Sequence, residues 1–260
     1  MKVVLPVLKA RINIKKNKCS AICIAAAALL CGTLVFGILL PNTMRAERYG
    51  VKGVDVSSYQ GEIDWQTLSE QGICFAFIKA TEGSSFTDPY FVRNFTQAQM
   101  TQLKVGAYHF FSYDSAGKTQ AENFIAAVEP FEGMLPPVID LEFYGNYYTS
   151  PPARADVEPQ LKAMLQHLER HYGQRPVIYA TERSYRLYLA GDYANYDIWL
   201  RDVRGVPRLS DGRAWTFWQC SDRAQLDGYS GKERFIDMNV FFGDAAVFAA
   251  WCAENGWKEP

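Results

Sequence analysis

Eight short apolar segments recur along the chain, and through its first two thirds they alternate with stretches of helical character. This alternation limits the possible fold more than any other feature. The apolar segments cover residues 53–57, 73–79, 104–110, 138–142, 176–180, 197–200, 215–219 and 235–239. Helices are predicted over 64–71, over 89–102 behind Asp88, over 116–128, over 157–172 behind Asp156, and over 244–254. Strands that alternate with helices imply a parallel sheet, and a count near eight implies closure into a barrel. Only about half of the connections after Tyr172 look helical, so the expected fold is α/β, an irregular TIM-like (β/α) barrel with about eight strands and fewer than eight helices. With 260 residues, 48% of them hydrophobic, the chain can bury such a core without disulfides or metals.

The first fifty residues read differently. An uncharged run from Ala21 to Leu40 is long enough, at about 20 residues, to cross a bilayer as one helix. Lys15, Lys16 and Lys18 precede it, which keeps the N-terminus in the cytoplasm and exports everything after Pro41. The run exceeds the apolar region of an ordinary signal peptide and no Ala-x-Ala follows it, so an uncleaved transmembrane helix is expected, with secretion after cleavage as the alternative. The resulting division is a basic cytoplasmic segment (1–20), a signal anchor (21–40), a polar linker (41–50) and one domain (51–255) in the periplasm or at the cell exterior.

Charge follows the same division. Six basic and no acidic residues precede residue 45, leaving 21 basic against 28 acidic residues, a net charge of −7, in the remainder. A domain this acidic has no electrostatic footprint for a nucleic-acid backbone. Of six cysteines, Cys19, Cys23 and Cys31 fall in or beside the apolar run, which leaves Cys74, Cys220 and Cys252. Their odd count and wide spacing give neither a metal signature nor a forced disulfide, and no bridge is expected.

The sharpest chemical signal is Pro136-Pro137-Val138-Ile139-Asp140-Leu141-Glu142. Period-two alternation places Asp140 and Glu142 on one strand face, about 6.5 to 7 Å apart along the chain. Held this close and partly desolvated, two carboxylates titrate apart, one ionised and one protonated near neutral pH. Asp55 and Asp237 each interrupt another apolar segment, and a carboxylate buried there needs a partner or a purpose. In a closed barrel the first and last strands are neighbours, so all four acids can share one mouth. An Asp-x-Glu alone better fits a strand end whose acids cap loops or face water; the company of Asp55 and Asp237 favours chemistry.

Taken in order, Gly53-Val54-Asp55-Val56-Ser57-Ser58-Tyr59-Gln60-Gly61, Ile63-Asp64-Trp65, Phe77-Ile78-Lys79-Ala80-Thr81-Glu82-Gly83, Asp88-Pro89-Tyr90-Phe91, Gly106-Ala107-Tyr108-His109-Phe110, Pro137-Val138-Ile139-Asp140-Leu141-Glu142, Trp218-Gln219 and Ile236-Asp237-Met238-Asn239-Val240-Phe241 resemble the successive motifs of the glycoside hydrolase family 25 lysozymes, the Chalaropsis and Cellosyl type of muramidase. The resemblance spans about residues 51 to 250. It implies hydrolysis of the β-1,4 bond between N-acetylmuramic acid and N-acetylglucosamine in peptidoglycan, without cofactor or metal, by a monomer. Glu142 would be the general acid. Asp140, ionised, would orient the substrate's 2-acetamido group or stabilise the oxocarbenium-like charge, with water activation by an Asp and inversion as the alternative. Asp55 and Asp237 complete the implied catalytic set.

Candidate substrate contacts are Tyr108, matching the family's active-site tyrosine, together with Tyr59, Tyr144, Tyr179, Trp199, Trp218 and Gln219. For Lys79 and Glu82, a loop-holding salt bridge and sugar contact are equally good readings. His109 faces away from Tyr108 by alternation, as a structural histidine. The chain departs from the family at Cys220 and Arg201, both expected near the groove. Two other readings stay open: a wall-binding module without turnover, and a hydrolase of chitin-like polymers.

Overall fold

The computed structural model describes residues 42–259, so the basic segment 1–20 and the apolar run 21–40 lie outside the described residues. Among the described residues, no helix is long and apolar enough to cross a membrane.

Nine strands form one sheet: β1 (Lys52–Val56), β2 (Ile73–Glu82), β3 (Phe86–Thr87), β4 (Lys104–Phe110), β5 (Val138–Leu141), β6 (Val177–Thr181), β7 (Ile198–Arg201), β8 (Phe217–Ala224) and β9 (Ile236–Phe241). Eight of them close a barrel, because β1 pairs with both β2 and β9, while β3 is a two-residue return on the end of β2. All the expected strands are present. Their directions are less uniform than expected: seven run parallel, but β9 is antiparallel to both of its neighbours, β8 and β1. A parallel strand needs a crossover that carries the chain back to the starting end of the barrel. The segment between Ala224 and Ile236 contains no helix and returns the chain as a hairpin.

Around the barrel stand α1 (Asn42–Ala46), α2 (Trp65–Ser69), α3 (Phe91–Gln99), α4 (Gly117–Ala127), α5 (Arg154–Tyr172), α6 (Glu182–Ser184), which runs on into a π-helical turn, and α7 (Ala245–Asn255). Two helix starts differ from expectation. Asp88 does not cap α3, which begins at Phe91; its carboxylate instead accepts hydrogen bonds from the Tyr90 and Ser58 amides and ties the loop after β1 to this turn. Asp156 lies inside the first turn of α5, where its charge faces the positive end of the helix dipole.

Residues 42–50, read from the sequence as part of a polar linker, are in contact with the barrel. The Asn42 amide donates to the Asp202 carbonyl at 2.8 Å, Ala46 is buried, and Tyr49 packs edge-on against Trp215 and Trp218. The short helix α1 and the turn after it are docked on the barrel wall through Asn42, Ala46 and Tyr49.

Alternation along each strand sorts the core into two shells. Outward-facing Val54, Ile78, Val105, Ile139, Ile178 and Leu200 pack under the helices. Inward-facing Phe75, Phe77, Val138, Val177, Trp199, Phe217 and Phe241 fill the barrel's lower half, with Phe77 stacked on Trp199 at 4.9 Å and Phe75 edge-on to Phe217 at 5.2 Å. Gly53 is part of this packing, since a Cβ there would lie 2.3 Å from the Phe75 ring. The interior is therefore a solid aromatic floor, and only the space above it is open to chemistry.

Candidate active site

Moving two residues up each strand from the aromatic floor replaces apolar side chains with polar ones. Asp55, Lys79, Tyr108, Asp140, Glu142, Tyr179, Arg201, Gln219 and Asp237 line one cleft of about 510 Å³, and the rim of Trp199 forms part of its wall. The chemistry sits at the C-terminal ends of the parallel strands. On β9 it sits at the N-terminal end, because that strand descends.

Asp55 and Asp237 face each other in register across β1 and β9. Gln219 Nε2 donates to both oxygens of Asp55 at 3.0 Å and reaches Asp237 Oδ2 at 3.3 Å, while Asn239 Nδ2 donates to Asp55 at 2.7 Å. Two carboxylates held around one amide donor do not both ionise readily. Burial raises both, and the neighbouring charge of Asp55 helps to push Asp237 up to about 9. The orientation of Gln219 is fixed from behind by Tyr179, whose hydroxyl donates to Gln219 Oε1 at 2.9 Å, and that of Asn239 by Trp199 Nε1, which donates to Asn239 Oδ1 at 2.8 Å.

Asp140 lies on the last turn of pleat of β5, and Glu142 follows one residue past the strand end. Asp140 is buried, and its Oδ1 makes no hydrogen bond within the protein. Burial, and then the charge of Glu142, raise its carboxyl well above the usual range. Glu142 is pushed up to about 7 by burial and by Asp55, against the opposing pull of Arg201 and Lys79. The expectation was a protonated Glu142 beside an ionised Asp140. In the free cleft both carboxyls are pushed up, each chiefly by burial.

Three expected contact residues lie elsewhere. Trp218 faces outward, as the neighbour of inward Gln219 must; it packs against Tyr49 and Trp215 and donates to the Asp202 carbonyl at 2.7 Å. Tyr144 turns away from the cleft to receive the Tyr113 amide at 3.0 Å and donate to Asp114 at 3.1 Å, a latch between two loops. Glu82 does not line the cleft and holds Lys79 in a 2.7 Å salt bridge, so of its two readings the structure favours the loop bridge. Tyr59 is on the rim and is 65% exposed.

Of the two departures, Cys220 also faces outward, its thiol directed at the Met238 carbonyl, whereas Arg201 lines the cleft and pairs with Asp222 at 2.7 Å. His109 is enclosed outside the barrel wall between Thr81 Oγ1 at 2.7 Å and Gln120 Oε1 at 3.0 Å, and burial lowers it to about 4. Sequence reasoning missed Asn239 as a site residue, although it stands two positions after Asp237 and so on the same face. Phe110 was also missed as a cleft wall, whereas Tyr148, in the aromatic run after Glu142, does line it.

The sequence pattern of glycosyl hydrolases family 25 matches residues 54–229. The chain is 54% identical to a family 25 glycosyl hydrolase of known structure from Bacillus anthracis, with a TM-score of 0.75 over 78% of this chain and 94% of that one. It is 38% identical over 229 residues to the uncharacterised protein YegX of Escherichia coli K12, covering 86% of this chain and 79% of YegX. It is 32% identical over 225 residues to lysozyme M1 of Streptomyces globisporus, covering 79% of this chain and 72% of that enzyme. A family pattern that extends over more than half of the chain, on a barrel whose mouth gathers the four carboxylates, identifies a glycoside hydrolase belonging to family 25 of the glycosyl hydrolases.

Proposed function

We propose that the protein is a lysozyme that hydrolyses the β-1,4 bond between N-acetylmuramic acid and N-acetylglucosamine in peptidoglycan, with Glu142 as general acid. The observation that carries this reading is the pairing of a carboxyl near neutral pKa, open to the cleft, with a buried neighbour that has one unsatisfied oxygen. Asp140 Oδ1 is an acceptor in need of a donor, and the N–H of a 2-acetamido group supplies one. That hydrogen bond favours the Asp140 anion and turns the acetamide oxygen toward the anomeric carbon. Glu142 then gives its proton to the leaving glycosidic oxygen while the acetamide oxygen attacks, and its carboxylate afterwards takes a proton from the water that opens the cyclic intermediate. Asp55 and Asp237, which do not both ionise readily, place a partial negative charge beside the developing oxocarbenium ion. Exposed Tyr59 and Tyr148 offer flat apolar faces to neighbouring sugar rings at the rim.

The acting unit in this proposal is a monomer. The apolar run 21–40 holds it at the cytoplasmic membrane, and because the chain is docked again from Asn42, little free tether remains and the reach is confined to nearby wall. Mass spectrometry of peptidoglycan digested by the full chain, with time-resolved proton NMR of the nascent reducing ends, tests the function. Fragments with muramic acid at the reducing end, in the retained anomer, are expected; an inverted anomer assigns water activation to an Asp instead. Wall binding without released reducing ends, or release from chitin oligomers only, refutes the reading.

A further inference from the structure

Arg201 sits where β7 opens into the cleft. Period two from Trp199 turns it inward, and the pairing register places it level with Glu142: Leu141 stands opposite Ala180, so the next residue, Glu142, stands level with Thr181, whose partner on β7 is Arg201. Two strand spacings therefore separate the two backbones, about 9.5 Å, and both side chains line the same space. Arg201 is half-buried, with its side chain 33% exposed, and Nη2 is held 2.7 Å from Asp222 Oδ2 at the end of β8, on the side away from β5.

Other charged groups lining this cleft are Lys79, whose ammonium is held by Glu82, and the acids Asp55, Asp140, Asp237, Asp222 and Glu233. Tyr108 and Tyr179 are neutral walls. Glu142 thus has two cationic neighbours in the cleft, and Arg201 is the one whose partner also lines it.

Resting on Glu142 as the acid, we propose that Arg201 and Asp222 are a positioning pair that fixes the upper pH limit of turnover: Arg201 is the counter-charge for Glu142, and Asp222 is the restraint that keeps the guanidinium two strands away from it. A guanidinium free to swing onto Glu142 would hold it ionised and remove the proton that the leaving group needs. Without any cation at Arg201, Glu142 keeps its proton to higher pH but gives it up less readily. The Arg201 field is the strongest of those lowering Glu142, against burial that raises it.

The test is the pH profile of kcat/KM of the full chain on peptidoglycan for Arg201→Gln, Arg201→Lys and Asp222→Asn. In Arg201→Gln the alkaline limb is expected to move up by about one pH unit, the low end of what an opposite charge does to a carboxyl. Arg201→Lys, which keeps the charge, restores the limb toward the parent value. Asp222→Asn moves it down. A purely structural pair would lower turnover in all three without moving the limb, and an unmoved limb in Arg201→Gln, or an upward shift in Asp222→Asn, overturns the proposal. Should Arg201→Gln fail to fold, the near-parent limb expected for Arg201→Lys and the downward shift expected for Asp222→Asn still decide it. Full activity in Glu142→Gln instead refutes the choice of acid and leaves this pair without its target, so the two failures are distinct.

Discussion

Replacing Glu142 with Gln should do two opposite things, and the structure fixes the sign of each. The amide has nearly the carboxyl's shape but cannot deliver a proton, so turnover on peptidoglycan should fall by about 10²- to 10⁴-fold, the usual contribution of a general acid. Stability should change the other way. Burial raises Glu142 from an ordinary 4.5 to about 7, so the folded state prefers the protonated form. The stability this group contributes is complete below pH 4.5 and is lost as pH rises through about 7. The difference corresponds to roughly 3 kcal/mol at pH 8, an upper value because the cleft relaxes and admits water. Gln carries no such cost. Urea denaturation at pH 4 and pH 8 should therefore show parent and variant alike in acid and the variant more stable in base, by up to about 3 kcal/mol. Equal destabilisation at both pH values would mean that Glu142 is held by contacts rather than desolvated. Retained turnover would remove it from the role of acid.

Other substitutions separate residues that look equivalent in sequence. Trp218→Phe should lower the urea midpoint and leave KM unchanged, because Trp218 packs outside the barrel and its indole serves the Asp202 carbonyl, whereas Tyr59→Ala on the exposed rim should raise KM with little change in stability. Asn239→Ala leaves Trp199 Nε1 without its acceptor and removes a donor from Asp55, for an expected loss of about 1 to 3 kcal/mol by urea denaturation, with a fall in activity as Asp55 turns. Gly53→Ala drives a methyl group into the Phe75 ring, one inward position below Asp55, and should cost about 1 to 3 kcal/mol by the same assay.

Much of this was legible in the chain because a strand's period is two. Asp140 and Glu142, Asp55 and Asp237 could be assigned to inner faces from their apolar neighbours alone, and the alternation of strands with helices foretold the barrel. The same rule, applied strictly, would have separated Trp218 from Gln219 and Cys220 from Gln219, since adjacent residues cannot both face the cleft. The docking of α1 was not readable, because Asn42 and Tyr49 find their partners about 160 residues away, in a wall whose shape depends on the whole barrel.

The direction of β9 was hidden for a deeper reason. Alternation says which residues face inward but is blind to which way a strand runs. Asp237 is the second residue of β9, so on an ascending strand it would lie near the barrel floor, under Phe77 and Trp199, where an acid has no hydrogen-bond donor and no solvent. Because β9 descends, its second residue opens at the mouth opposite Asp55, Asn239 comes two residues lower to hold that carboxylate, and Phe241 reaches the aromatic floor. The order acid, amide, ring along Asp237, Asn239 and Phe241 is thus the order from mouth to floor. It runs opposite to β8, where Phe217 precedes Gln219. That reversal of the polar-to-apolar gradient between consecutive inward-facing positions marks the antiparallel strand in the sequence, in accord with the helix-free connection before it, and it is the gradient, not the periodicity, that places Asp237 beside the reacting bond in the proposed mechanism.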